Sequence, residues 1–178
     1  MKPSVSLPAG VQVPSVAVRF GFKGADAPAL LQQVGLRIPA LPNQVTHWQA
    51  DEPFGSGRCL RQGNTEFLME LDHASPPKLQ GNDAFPRAWE LIRSDHSVLL
   101  DGAQWPRELN QVCSFDFERL RDAPDMVVMT LMAGISVTVI REPQSGLNTS
   151  TGMALRLWCD AGFSTYLHDC LRSIGESR

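Results

Sequence analysis

The sequence predicts an α+β fold in which a strand–helix–three strands–helix unit occurs twice. Three observations lead there. Gly24, Ala25, Pro28, Leu31, Gln33 and Val34 recur without a gap, 78 residues on, as Gly102, Ala103, Pro106, Leu109, Gln111 and Val112. Each stretch follows an apolar run, 16–22 and 98–100, so a strand ends, a glycine lets the chain turn, and a proline sits in the first turn of a helix. Phe85 and Phe163, each opening a helical pattern, are separated by the same 78 residues. The expected organisation is a single domain over 1–178 made of two pseudo-repeats, about 16–94 and 97–174.

Taken in order, residues 1–15 hold three prolines and no periodic pattern, and read as an extended arm. The run 16–22 is the first strand. Asp26 is placed to cap the helix that follows, whose inner face is Ala27, Leu30, Leu31 and Val34. Gly35 ends that helix, and the prolines at 39 and 42 mark a connection. A short strand at 45–48 leads into the loop 51–57. Two further strands, 58–62 and 66–71, flank the turn Gly63-Asn64-Thr65. After the break at 72–84, Phe85, Ala88, Trp89 and Ile92 fall at i, i+3, i+4 and i+7, which predicts a helix with one buried face.

The second half opens with a strand at 97–100 and a helix at 104–112, with Trp105, Leu109 and Val112 inward. A charged connection spans 115–125. The runs 126–132 and 135–140, rich in β-branched residues and joined at Ala133-Gly134, form the clearest hairpin in the chain. A strand at 153–158 follows the polar loop 142–152. Phe163, Tyr166, Leu167, Cys170, Leu171 and Ile174 then give the strongest helical period of the sequence.

Composition limits the function classes. With 43% apolar and 20% charged residues in 178, the chain can bury a core without staples. A net charge of −3 without a Lys/Arg cluster argues against nucleic acid. No apolar run approaches the ~20 residues that cross a bilayer, and the first eight residues have no signal-peptide core, so a cytoplasmic protein with no membrane contact is expected. Cys59, Cys113, Cys159 and Cys170 are scattered, and His47, His73, His96 and His168 have no ligand spacing; no metal site is predicted.

Nor do the residues outline a catalytic centre. Gly21-Phe22-Lys23-Gly24, between a strand and a helix, could cradle a phosphate but lacks the full dinucleotide or Walker pattern, and turn-forming glycines explain it better. No nucleophile elbow is present. Met126, Met129 and Met132 read as hairpin core. Trp48 and Phe54 frame a turn-rich loop and are the candidate partner-binding anchors, set against ordinary packing. No catalytic and no cofactor-binding residue is assigned.

A series of short motifs carries a resemblance. The segment Phe20-Gly21-Phe22-Lys23-Gly24 with its helix, the connection 35–43, and Arg61-Gln62-Gly63-Asn64-Thr65-Glu66-Phe67-Leu68 come first. Cys113-Ser114-Phe115-Asp116-Phe117, Thr130-Leu131-Met132-Ala133 and the closing helix 163–171 follow in the same order. Together they resemble the gamma subunits of heterotetrameric sarcosine oxidases, which are similar to the folate-binding domain of aminomethyltransferases. The family's Asp-x-Ser step survives only in the shortened Asp95-His96-Ser97, and the Lys-Gly-Cys signature of the related iron–sulfur-repair protein is absent. The resemblance implies an aminomethyltransferase folate-binding-domain-like fold. It implies a non-catalytic structural subunit of a complex that oxidises N-methyl amino acids with tetrahydrofolate as one-carbon acceptor. Its partners would be the large subunits of that complex. Flavin, NAD and tetrahydrofolate would be bound there, none by this chain alone. A stand-alone folate-binding or aminomethyltransferase-related protein is the alternative.

The cysteine pattern generates a first prediction. All four thiols should react with a thiol reagent in denaturant without reductant. A count below four in protein prepared from a reducing cell would show a disulfide and contradict it.

Overall fold

In the computed structural model of the chain, the residues described are 7–15, 18–49, 54–72, 84–143 and 153–176. The first half of the chain runs β1 (Val11–Gln12), β2 (Val18–Lys23), α1 (Ala27–Gln33), β3 (Gln44–Trp48), β4 (Gly57–Arg61), β5 (Glu66–Leu71) and β6 (Trp89–Ile92). The second runs β7 (His96–Asp101), α2 (Trp105–Glu108), β8 (Val127–Met132), β9 (Ile135–Glu142), β10 (Ala154–Cys159) and α3 (Ser164–Glu176). Single 3-10 turns stand at Leu109–Gln111, Phe117–Arg121 and Ala161–Phe163. The chain forms two compact units, one from residues 15–94 with 125–127, the other from 1–14, 95–124 and 128–178.

The unit of residues 15–94 is built on a five-stranded sheet in the order β3-β4-β5-β2-β6, antiparallel throughout. Side chains alternate across a strand, so Phe20 and Phe22 of β2 share a face with Met69 and Phe67, their partners on β5. That face is covered by α1 through Ala27, Leu30 and Leu31, all inside the core cluster. Burying one such leucine contributes about 1.5–3 kcal/mol.

In the other unit the order is β1-β7-β10-β9-β8. Every residue of β10 is buried, as is the middle of β7. The buried residues include Arg156 in β10 and Ser97 in β7, so burial here extends to polar side chains. Leu167, Leu171 and Ile174 of α3, at i, i+4 and i+7, are buried, as are Trp105 and Leu109. The β8–β9 turn places Ala133 and Gly134 at φ 49° and 84°, a two-residue turn whose twist matches that of the strands.

The matched glycines do matched jobs. Gly24 and Gly102 both have positive φ, 126° and 144°. A Cβ on Gly24 would lie 1.9 Å from the carbonyl oxygen of Arg87, a backbone atom that cannot swing away. Pro28 and Pro106 sit in the first turns of α1 and α2. The sheets also share a strand order: in each, the strand before the glycine pairs with the last of the three strands that follow the helix.

Three expectations are corrected. The segment predicted as a helix from Phe85 is the strand β6, paired to β2 from Phe20↔Ile92 to Lys23↔Trp89. Phe85 and Ala88 do pack on the core, but Trp89 and Ile92 are exposed, so the apolar period never becomes a buried face. The strand–helix–three strands order therefore occurs in both halves, while a closing helix stands only in the second. Asp26 is the residue before α1, yet its carboxylate makes no cap bond; it accepts from the Arg87 backbone N–H at 3.0 Å and from its guanidinium at 2.7 Å. The helix predicted over 104–112 is one α turn continued by a 3-10 turn, and Val112 is only half-buried.

Three substitutions, two of them buried references, separate a buried helix from an edge strand at 85–92. Leu31→Ala and Leu109→Ala, as buried references, should each lower stability by about 2–5 kcal/mol in urea unfolding, since both side chains are fully buried. Ile92→Thr, which keeps a β-branched side chain at an exposed strand position, should stay within about 0.5 kcal/mol. A large loss at Ile92 would restore a buried helix there.

Candidate partner-binding surface

The two aromatics expected on a partner loop lie inside the chain. Trp48 ends β3, is 3% exposed and belongs to the core cluster; Phe54 packs half-buried against the same cluster. Trp48 stands opposite Gly57 on β4, whose missing side chain makes room: a Cβ there would meet the indole at 3.1 Å. The indole Nε1–H donates to the Arg37 carbonyl at 2.8 Å, and the Arg37 guanidinium donates to the His47 carbonyl at 2.6 Å. The signal for this was Gly57, placed across the hairpin. Residues 51–53 of the loop lie outside the described residues.

The other candidate motif has its atoms engaged as well. Within Gly21-Phe22-Lys23-Gly24, the Gly24 N–H donates to the Thr65 carbonyl at 2.9 Å. Asp26 stands at the start of α1, where a phosphate would have to sit, and its carboxyl is held below its ordinary value by the hydrogen bond from Arg87. A negative charge at that position repels an anion.

Besides Val13 and Leu41 in connections, the exposed large apolar side chains lie on edge strands and at the start of α3 with the 3-10 turn before it. On β6, at the edge of its sheet, Ile92 is 99% and Trp89 57% exposed. In the other unit, Met129 and Leu131, two apart on the edge strand β8, are exposed, as are Phe163 and Tyr166. The Tyr166 hydroxyl donates to the Ala133 carbonyl at 2.8 Å, which ties the start of α3 to the β8–β9 turn. Tyr166 is amphipathic and stiff, the kind of side chain that dominates interface cores. Sequence reading missed most of these positions because it assigned Trp89, Ile92, Met129, Phe163 and Tyr166 to buried faces.

Charged groups inside the sheets are structural. Glu70 on β5 faces Arg19 on β2 and Arg58 on β4, directly across the ladder. Its Oε1 accepts from Arg19 Nε at 2.8 Å, and Oε2 lies 3.5 Å from Arg58 Nε, with Glu70 1% exposed. In the other sheet Glu142 and Arg156 form a two-bond pair at 2.9 and 3.1 Å, also buried. All four cysteines are free. Burial pushes the Cys59 thiol far up, and the Cys159 thiol up to about 11, so both stay protonated and unreactive at neutral pH. Among the described residues no group of three or more His, Cys, Asp or Glu side chains is arranged to hold a metal ion, and no helix is long and apolar enough to cross a membrane.

No protein-family model matches the chain, and no curated protein matches it in sequence. Solved structures do. A chain of the heterotetrameric sarcosine oxidase from Corynebacterium sp. U-96, in complex with pyrrole 2-carboxylate, superposes with a TM-score of 0.74 at 18% identity, covering 94% of this chain and 83% of that one. The glycine cleavage system aminomethyltransferase T from Bartonella henselae superposes at 0.56 and 13% identity, covering 86% of this chain and 42% of that one. At such identities the likeness establishes the fold, an α+β arrangement shared with these two enzymes.

The buried row of charges gives the test of its own role. Glu70→Gln should destabilise the protein by about 3–5 kcal/mol, because a buried guanidinium, Arg58, and a half-buried one, Arg19, lose a counter-charge. Glu66→Gln, at a partly exposed pair, should cost at most about 1 kcal/mol. Equal losses in thermal unfolding would deny the buried row its role.

Proposed function

We propose that this chain is a non-catalytic subunit of a sarcosine oxidase-like complex that oxidises N-methyl amino acids. Tetrahydrofolate would accept the one-carbon unit, and flavin and NAD would be held by the large partner chains. The observation that carries the reading is the match to a chain of heterotetrameric sarcosine oxidase over nearly all of both chains. The likeness to aminomethyltransferase T supports the runner-up, a folate-binding protein that acts alone.

What the motif residues do also supports a scaffold. Arg61 donates to the carbonyls of Ala40 at 2.6 Å, Pro39 at 3.2 Å and Asn64 at 2.8 Å, so it fastens a connection and a hairpin turn. Asp116 accepts from the Glu118 N–H at 3.1 Å and caps a 3-10 turn. The Cys113 sulfur lies 3.7 Å from the Thr130 hydroxyl, joining two of the motifs by packing. These residues of the family pattern shape the backbone, which is the work of a scaffold rather than of a catalytic site.

A subunit of this kind associates through buried apolar surface, and stable interfaces take roughly 1,200–2,000 Å². Trp89 and Ile92 on one edge, and Met129, Leu131, Phe163 and Tyr166 on the other, are the residues this reading assigns to partners, in place of Trp48 and Phe54. The same reading takes the two units as pseudo-repeats, about 16–94 and 97–174, of one duplicated domain, and places the protein in the reducing cytoplasm, where free thiols persist.

Co-expression with the neighbouring large-subunit genes, followed by size exclusion and an oxygen-uptake assay with N-methyl amino acids, tests the proposal. Activity should require the partners and rise when this chain is present. Replacing both Trp89 and Ile92 by Ser, or both Leu131 and Tyr166, should weaken association by tenfold or more at whichever edge is used, about 1.4 kcal/mol or more. Tight tetrahydrofolate binding by the isolated chain would promote the runner-up instead.

A further inference from the structure

His96, at the start of β7, and His168, on α3, are joined Nε2 to Nε2 at 2.9 Å, with their rings 4.8 Å apart and steeply inclined. Both are half-buried. Neither belongs to the edges assigned to partners, so a role for the pair does not depend on the sarcosine oxidase-like function. Between two imidazoles, such a bond needs one Nε2–H donor and one Nε2 lone pair. The pair can therefore hold no extra proton, or one. A second proton places N–H against N–H and brings two positive charges within a hydrogen-bond length.

The surroundings decide how readily that second proton arrives. On α3, Arg172 lies one turn beyond His168 and bonds to Asp169 at 2.8 Å. On the sheet side, Asp95 precedes His96, and Cys159 of β10 stands directly opposite it, followed by Asp160. Acidic residues flank His96 on the sheet side, and Arg172 disfavours charge on His168. His96 is then the donor and His168 the acceptor. Burial, reinforced by Arg172 and opposed by Asp169, holds the His168 imidazole below its ordinary value.

The geometry points to a pH-sensitive latch: the His96–His168 bond fastens α3 to β7 near neutral pH, and double protonation releases it. Linkage gives the sign. A histidine whose value is lowered on folding stabilises the fold fully above its unfolded value near 6.5, and that contribution is lost as pH falls below it. The unlatching would loosen the helix that carries Leu167, Leu171 and Ile174 into the core.

Hydrogen exchange of the full chain, corrected for intrinsic rates, provides the test between pH 7.5 and 5. Peptides from α3 should lose protection by up to about tenfold for each pH unit below the unfolded value, while peptides from β2 to β5 hold theirs. His168→Gln keeps an amide oxygen able to accept from His96 and cannot take a second charge, so the α3 peptides of that variant should lose the pH dependence. Identical pH slopes in variant and wild type would overturn the latch. If the variant does not fold, imidazole NMR titration of the wild type decides. Two resonances titrating in separate, displaced steps support the coupled pair, and independent titration of both near 6.5 overturns it.

Discussion

A strand in the middle of a sheet has two rows of backbone donors and acceptors, and leaving either row buried and unbonded costs about as much as the lost hydrogen bonds. This constraint organises both units. β2 and β7 each take the last strand of their own hairpin set along one edge, β5 and β10 respectively. Each needs a second partner along the other. For β7 it is the two-residue strand of the N-terminal arm, with Val11 facing Leu100. For β2 it is the segment just before β7, with Glu90 facing Phe22. A stretch with helical apolar spacing thus becomes a strand, because a lone eight-residue helix is marginal while the ladder supplies bonds that β2 would otherwise lack.

The same edge positions explain where apolar surface is left over. A strand added at an edge covers its neighbour and leaves its own outer row open, which is how Ile92 and Trp89 come to be exposed. β8 occupies an edge of the other sheet and exposes Met129 and Leu131. Exposed apolar edge strands are sites where another chain can add, unless they are blunted by charge or covered. The proposal of a partner subunit draws on these edges for its contacts.

Polar groups in the interior obey a stricter rule. Glu70 lies between Arg19 and Arg58, and Glu142 is held by Arg156 through two bonds. In β2 and β5 the charged residues alternate with the apolar ones that face α1, so each ionic group falls on the opposite face of the same strands. Buried pairs of this kind contribute little net stability against an apolar equivalent, but they penalise a slip in register strongly, because any shift separates the charges. The His96–His168 pair differs in one respect: imidazoles change charge closer to neutral pH than carboxylates or guanidinium groups do.

The sequence by itself determined the elements whose logic is local. Apolar and β-branched runs bounded by turn residues placed β2, β4, β5 and β7 to β10 within a residue or two. The positive-φ demand of Gly24 and Gly102 was readable because a glycine follows an apolar run and precedes a proline-bearing turn. The i, i+4, i+7 face of α3 was readable from Leu167, Leu171 and Ile174. What only the tertiary structure decided depended on partners far away in the chain. Asp26 capped nothing because Arg87, 61 residues on, offered a charge-assisted bond. Trp48 went inward because Gly57 opposite left it space. β6 became a strand because β2 had an open edge. In each case local propensity amounts to a fraction of a kcal/mol per residue, while a buried aromatic, a ladder or an ion pair is worth more, and which of these is on offer is a property of the assembled fold.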